Sequence, residues 1–176
     1  MIKFLSLLIV ATFLVSCKQN NYTEVVDKEG ELILLGEINL QALQKEPYKE
    51  WFKNNHDSYQ PNTALLEQLK QQLKKHRIQL FLGTWCSDSH REVPNFIKIL
   101  QAADFPINNL EMVAMDRDKE NPAEEKKGWN INYVPTFIFV KDGKEVNRIV
   151  EMPLESLEKD MLKILTGQPY TPNYAE

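Results

Sequence analysis

Residues 77–89 read Arg77-Ile78-Gln79-Leu80-Phe81-Leu82-Gly83-Thr84-Trp85-Cys86-Ser87-Asp88-Ser89. The first half carries Ile78, Leu80, Phe81 and Leu82 in a near-continuous apolar run, which suits a strand buried on both faces. Beyond it, Val93, Phe96, Ile97 and Leu100 recur at helical spacing. Gly83 to Ser89 is therefore a strand-to-helix junction, and Cys86 is expected at a helix N-terminus. Unpaired backbone N–H groups and the positive end of the helix dipole favour thiolate over thiol there. Cys86 is thus the candidate nucleophile. Ser89, one turn on, is expected to hydrogen-bond the Cys86 sulfur or to serve the helix start. Asp88 suits the helix N-terminus by its charge, and the same charge opposes ionisation of Cys86. Trp85 reads as a lid on the site. His90 reads as an exposed helix residue, and His56 and His76 as surface residues.

The pattern extends on both sides. Glu31 to Ile38 is a compact apolar run with strand character. Pro47 is expected to open a helix bearing Tyr48, Trp51 and Phe52, and Pro61 one bearing Leu65 or Leu66, Leu69 and Leu73. Leu110 to Asp116 is a further strand, and Asn121-Pro122 starts a short charged helix. Thr136 to Lys141, Asp142-Gly143 and Lys144 to Val150 form a hairpin signal with its tight turn. Pro153 is expected to begin a last helix with Leu154, Leu157, Met161, Ile164 and Leu165 on one face and Gly167 as its stop. This order predicts an α/β fold with a central mixed sheet flanked by helices, its first strands parallel and its hairpin antiparallel.

Composition narrows the function. The chain has 176 residues, a length that fits one globular domain. Its 21 Lys and Arg against 25 Asp and Glu leave a net charge of −4, with no basic footprint for nucleic acid. Two cysteines exclude a disulfide-rich scaffold and a four-cysteine zinc site, and no metal or other cofactor is expected.

Met1 to Ser16 reads M-I-K-F-L-S-L-L-I-V-A-T-F-L-V-S, with Lys3 followed by an apolar run. The run is shorter than the ~20 apolar residues a spanning helix needs and fits a signal-peptide core. Its end, Leu14-Val15-Ser16-Cys17, resembles the lipobox of bacterial lipoproteins, which implies acylation of Cys17 and membrane anchoring. The domains expected are then a leader over 1–16, lipidated Cys17 with a polar tether over 17–30, a folded domain over 31–167 and a polar tail over 168–176. By resemblance to proteobacterial lipoprotein sorting, the absence of Asp after Cys17 implies the outer membrane rather than the inner one, on the periplasmic side of a Gram-negative envelope.

The site itself resembles that of the thioredoxin family. Trp85-Cys86 is similar to the Trp-Cys of the family's Trp-Cys-x-x-Cys site, and Pro94 falls where the family has a helix-kinking proline. Val113 to Asp116 with Asn121-Pro122 is similar to the family's next strand and helix start. Tyr133-Val134-Pro135-Thr136 resembles the segment carrying its cis-proline. The likeness is strong over Arg77 to Gly167 and loose over residues 31–76, which read as an N-terminal extension. It implies a thioredoxin-like fold of the kind found in envelope lipoproteins common in Bacteroidetes. A peptide groove would lie beside Trp85, along Val134, Pro135 and Thr136. Two departures stand out: Ser89 replaces the second cysteine, and Leu80 replaces the buried Asp. The resemblance so altered implies a monothiol that exchanges with protein or peptide disulfides of the envelope and is released by an external reductant or small thiol. The alternative is a thioredoxin-fold binding module without redox activity.

Overall fold

The computed structural model describes residues 21–175. The leader and Cys17 lie outside these residues.

Strand β3 (Arg77–Leu82) occupies the middle of the sheet. It pairs in parallel with β4 (Leu110–Ala114) and antiparallel with β5 (Thr136–Lys141). Its side chains alternate between two apolar clusters. Ile78, Leu80 and Leu82 join the larger core, and Phe81 joins a smaller one with Val113, Met115, Ile138 and Val140. Burial on both faces explains why the strand reads as an unbroken apolar run.

The six strands follow the order β1-β2-β4-β3-β5-β6. Strand β2 (Leu32–Ile38) falls where expected but runs antiparallel to β4, with Gly36 opposite Ala114. Among the described residues only β3 and β4 are parallel, so the expectation of parallel first strands is corrected. Strand β6 (Lys144–Val150) closes the hairpin with β5 through Asp142 and Gly143, both at positive φ as a tight hairpin turn requires.

Residues 21–26 are not a tether. They form β1 (Asn21–Val26), paired along its length with β2 from Asn21 opposite Glu37 to Val26 opposite Leu32. Gly36 permits this approach, since a Cβ there would lie 2.4 Å from the Asn21 carbonyl oxygen. The strand is mostly exposed, so its sequence carries no apolar alternation.

Helix α1 (Leu40–Leu43) is capped by the Asn39 side chain, which accepts from the Ala42 N–H at 3.1 Å. Helix α2 (Lys49–Ser58) packs on α4 (Ser87–Ala102), and α3 (Thr63–Leu73) packs on α6 (Leu157–Leu165). Residues 31–76 are thus built into the body rather than appended to it. Helix α5 (Ala123–Lys126) is a single exposed turn. Helix α6 starts later than Pro153 suggests, because Ser156 caps it by accepting from the Lys159 N–H at 3.2 Å. Leu154 is accordingly 51% exposed and lies off the apolar face. Nor is 168–175 a free polar tail. Tyr170 packs against the core, donates to Asp160 at 3.2 Å, and its carbonyl accepts from Asn147 at 2.9 Å. Among the described residues no helix is long and apolar enough to cross a membrane.

Candidate functional site

The junction between β3 and α4 is held by its own backbone. The Cys86 N–H donates to the Gly83 carbonyl at 3.0 Å, and the His90 N–H to the Cys86 carbonyl at 3.0 Å. Thr84 links the junction to β2, its hydroxyl accepting from the Leu34 N–H at 3.1 Å. Gly83 leaves room for the indole that follows, since a Cβ there would meet the Trp85 ring at 2.6 Å. The indole N–H of Trp85 donates to the Met115 carbonyl at 2.8 Å, which fixes the ring at the end of β4.

Cys86 is the residue that caps α4, in an extended conformation, and its thiol is partly exposed. Sγ donates to the Val134 carbonyl at 3.2 Å. The Val134–Pro135 peptide bond is cis. Cys86 thus lies against the Val134–Pro135 turn, and Trp85 packs on the same small apolar cluster as Val134. Thr136 is buried, and its hydroxyl donates to the Tyr133 carbonyl at 2.7 Å. It braces the loop from inside rather than lining an open groove.

Ser89 differs from expectation. It is fully buried, and its Oγ accepts the Gly83 N–H at 3.1 Å. The bond found is to the end of the preceding strand, and none is found to the sulfur. The reason is geometric: the side chain points back under the turn, to the amide of the residue that follows β3. Asp88 is half-buried and pairs with Arg91 at 2.6 Å, so its charge is met within the first turns of the helix. Glu92 is buried, and desolvation raises its carboxyl above the ordinary range even though Arg91, 2.7 Å away, acts in the opposite direction.

Several neighbours were not legible in sequence. Arg117 lies with its guanidinium carbon 5.2 Å from the Trp85 ring centre. It donates to Asp27 at 2.5 Å, pairs with Glu29 at 3.1 Å and also binds Glu31. The turn between β1 and β2 thereby reaches the site. His90 is not an exposed helix residue: its Nε2 bonds the Thr84 carbonyl at 2.7 Å, and its ring stacks on Trp51 of α2 at 4.3 Å. His76 is buried rather than on the surface, with Nδ1 on the Gln72 carbonyl at 2.8 Å. These contacts join residues far apart in the chain, and no local spacing announces them. Leu80, by contrast, is buried beneath the site as an apolar residue, as its sequence position suggests.

A mixed α/β sheet that delivers a thiol to a helix N-terminus, facing a cis-proline loop, defines a thioredoxin-like fold. The chain belongs to the thioredoxin family, whose sequence pattern, described as "Thioredoxin", matches residues 60–163. It is 33% identical over 82 residues to the TPR repeat-containing thioredoxin TDX of Arabidopsis thaliana, covering 47% of this chain and 20% of that one. It is 21% identical over 151 residues to the Arabidopsis thioredoxin-like protein CXXS2, covering 85% and 83%. The chain thus spans a fifth of the first relative's length and most of the second's. A protein of unknown function from Pseudomonas aeruginosa shares the fold at a TM-score of 0.50 and 15% identity, covering 75% of this chain and 93% of that chain.

Proposed function

We propose that the chain is a thiol-disulfide exchange protein of the cell envelope that works through Cys86 alone. The observation that carries this reading is the placement of Cys86: partly exposed, at the start of α4, with Sγ 3.2 Å from the Val134 carbonyl beside a cis-proline. An extended peptide lying along that loop brings its disulfide to the sulfur. The Cys86 thiolate attacks one client sulfur, a new S–S bond forms, and the old one breaks. The leaving sulfur departs as a thiolate and takes a proton from water. One disulfide is consumed and one is made. Ser89 supplies no second thiol, so an external thiol attacks the client sulfur of the mixed disulfide, expels Cys86 as its thiolate and leaves a disulfide between the client and that thiol.

Met1 to Cys17 supports lipid attachment at Cys17, which would hold the domain on the periplasmic side of the envelope of a Gram-negative bacterium, at the outer membrane. The partners are then protein or peptide disulfides of that compartment together with a small thiol or reductant. The relative named for a Cys-x-x-Ser pattern is in keeping with a family branch lacking the second cysteine.

The experiment is a trap. Cells producing the full chain are quenched with acid and alkylated, and mixed disulfides are resolved without reductant. Adducts that vanish in Cys86→Ser are the expected result, and their absence against every envelope protein and model disulfide defeats the proposal. In the same cells, Cys17→Ser moves the protein from the membrane to the soluble fraction.

A second reading rests on the two departures from the family's site, Ser89 in place of the second cysteine and Leu80 in place of the buried Asp. A chain without those groups suits a binding module without redox activity. Partner capture that survives Cys86→Ser selects it.

A further inference from the structure

The strand order places β4 and β6 on opposite sides of the β3–β5 pair. Trp85 is held on the β4 side. On the β6 side, the chain leaving β6 meets the last residues of the molecule. The Glu151 N–H donates to the Pro135 carbonyl at 2.7 Å, and Glu151 has a left-handed backbone with φ of 60°. Asn173 seats the C-terminal segment here, its amide donating to the Met152 carbonyl at 3.0 Å and the Val150 carbonyl at 3.3 Å.

Tyr174 then stacks on Tyr133, with ring centres 4.3 Å apart and planes at 20°. Tyr133 immediately precedes Val134, whose carbonyl takes the thiol. The two rings are 58% and 39% exposed, so their aromatic surface faces solvent beside the cis-proline. The Tyr174 phenol is pushed up, first by its hydrogen bond to Glu151, then by that carboxylate's charge. Glu151 thus sets one negative charge beside the two rings, and such a charge favours a cation. The group that meets the Glu151 carboxylate is a neutral phenol.

We infer that Tyr133, Tyr174 and Glu151 form a docking surface for a basic side chain, arginine or lysine, on the peptide segment whose disulfide reaches Cys86. A guanidinium or ammonium finds the outer face of the stacked pair and the Glu151 carboxylate there. Its aliphatic stem finds Met152, which is also exposed. An acidic segment meets like charge and is turned away. The inference rests on the exchange reading for its substrate and adds the class of client to it.

The test uses the full chain in detergent with Cys17→Ser, so that Cys86 is the sole thiol. Two peptides activated as pyridyl disulfides differ only in carrying Arg or Glu two residues from cysteine, and release of thiopyridone reports attack. The expected rate ratio is about fivefold in favour of Arg at low salt, shrinking as salt screens the charges. The ratio cancels any change in the thiol itself. It falls toward one in Tyr174→Ala and in Glu151→Gln. A ratio of one in the parent protein, or a preference untouched by both variants, overturns the inference. If neither peptide nor dipyridyl disulfide reacts, the exchange reading has failed by itself. Calorimetric binding of the same peptides with Ala for Cys then decides the docking surface: Arg bound more tightly than Glu supports it, and equal binding overturns it.

Discussion

Ser89 illustrates how one hydroxyl is committed. Its Oγ is the acceptor for the Gly83 N–H at a fully buried position. Removing it strands a buried donor, which costs about 1–3 kcal/mol. Ser89→Ala should therefore lower the unfolding free energy from urea titration by that amount, and an unchanged free energy would show that Gly83 has another partner. The position of Ser89 relative to Cys86 is plain from sequence, since three residues along a helix bring two side chains to one face. Its partner is not, because a side chain one turn into a helix can equally turn toward the sulfur or back beneath the preceding strand. Packing under Gly83 decides the matter. The same holds for His90, whose sequence neighbours are polar but whose ring is covered by Trp51 from a helix some forty residues earlier.

At the scale of elements, the legible ones carry their signal locally. Asp142-Gly143 names its own turn, and the β3 run names a strand buried on both sides. Strand β1 is the opposite case. Asn21 to Val26 has no apolar alternation, and it becomes a strand because β2 offers a free edge and because the turn that follows is fastened to Arg117. That fastening is testable. Arg117→Ala should accelerate amide exchange along β1 and the β1–β2 turn while leaving β5 and β6 protected, and Arg117→Lys should restore part of the protection. Equal exchange in β1 of wild type and Arg117→Ala would mean that the ladder alone holds the hairpin.

The end of α3 yields a pH prediction. Burial lowers the His76 ring below its ordinary 6.5, although its bond to the Gln72 carbonyl acts in the opposite direction. Lys75 and Lys141 also lower it, and Asp142 raises it. The unfolded chain thus takes up this proton at higher pH than the folded one. Stability from this group is intact above 6.5 and declines as pH falls below it. His76→Gln keeps a donor for Gln72 and removes the titration. Denaturant midpoints measured down from neutral pH should separate, with wild type falling away from the variant only on the acid side. Parallel curves would show that His76 titrates alike in both states.

The molecule as a whole is closed by buried acids that connect distant parts of the chain. Glu158 in α6 is 2% exposed, and both its oxygens accept from the Tyr59 hydroxyl at 3.0 Å. One of them also accepts the Asn62 N–H at 3.0 Å. The last helix is thereby tied to the connection between α2 and α3, across 99 residues of sequence. Asp160, fully buried, does the same for the C-terminal segment through Tyr170, and it also holds the Leu154 N–H at 2.5 Å. These bonds account for two departures from the sequence reading together: the late start of α6 and the docked tail. They also carry the tail to Tyr133, on which Tyr174 stacks. Glu158→Ala leaves a phenol and an amide without their acceptor, at a cost of about 2–4 kcal/mol. Glu158→Gln retains an acceptor oxygen for Tyr59 and should cost less. Urea denaturation of both variants reads the difference. Equal losses would mean that the charge of Glu158, rather than its hydrogen bonds, holds α6 to the body of the protein.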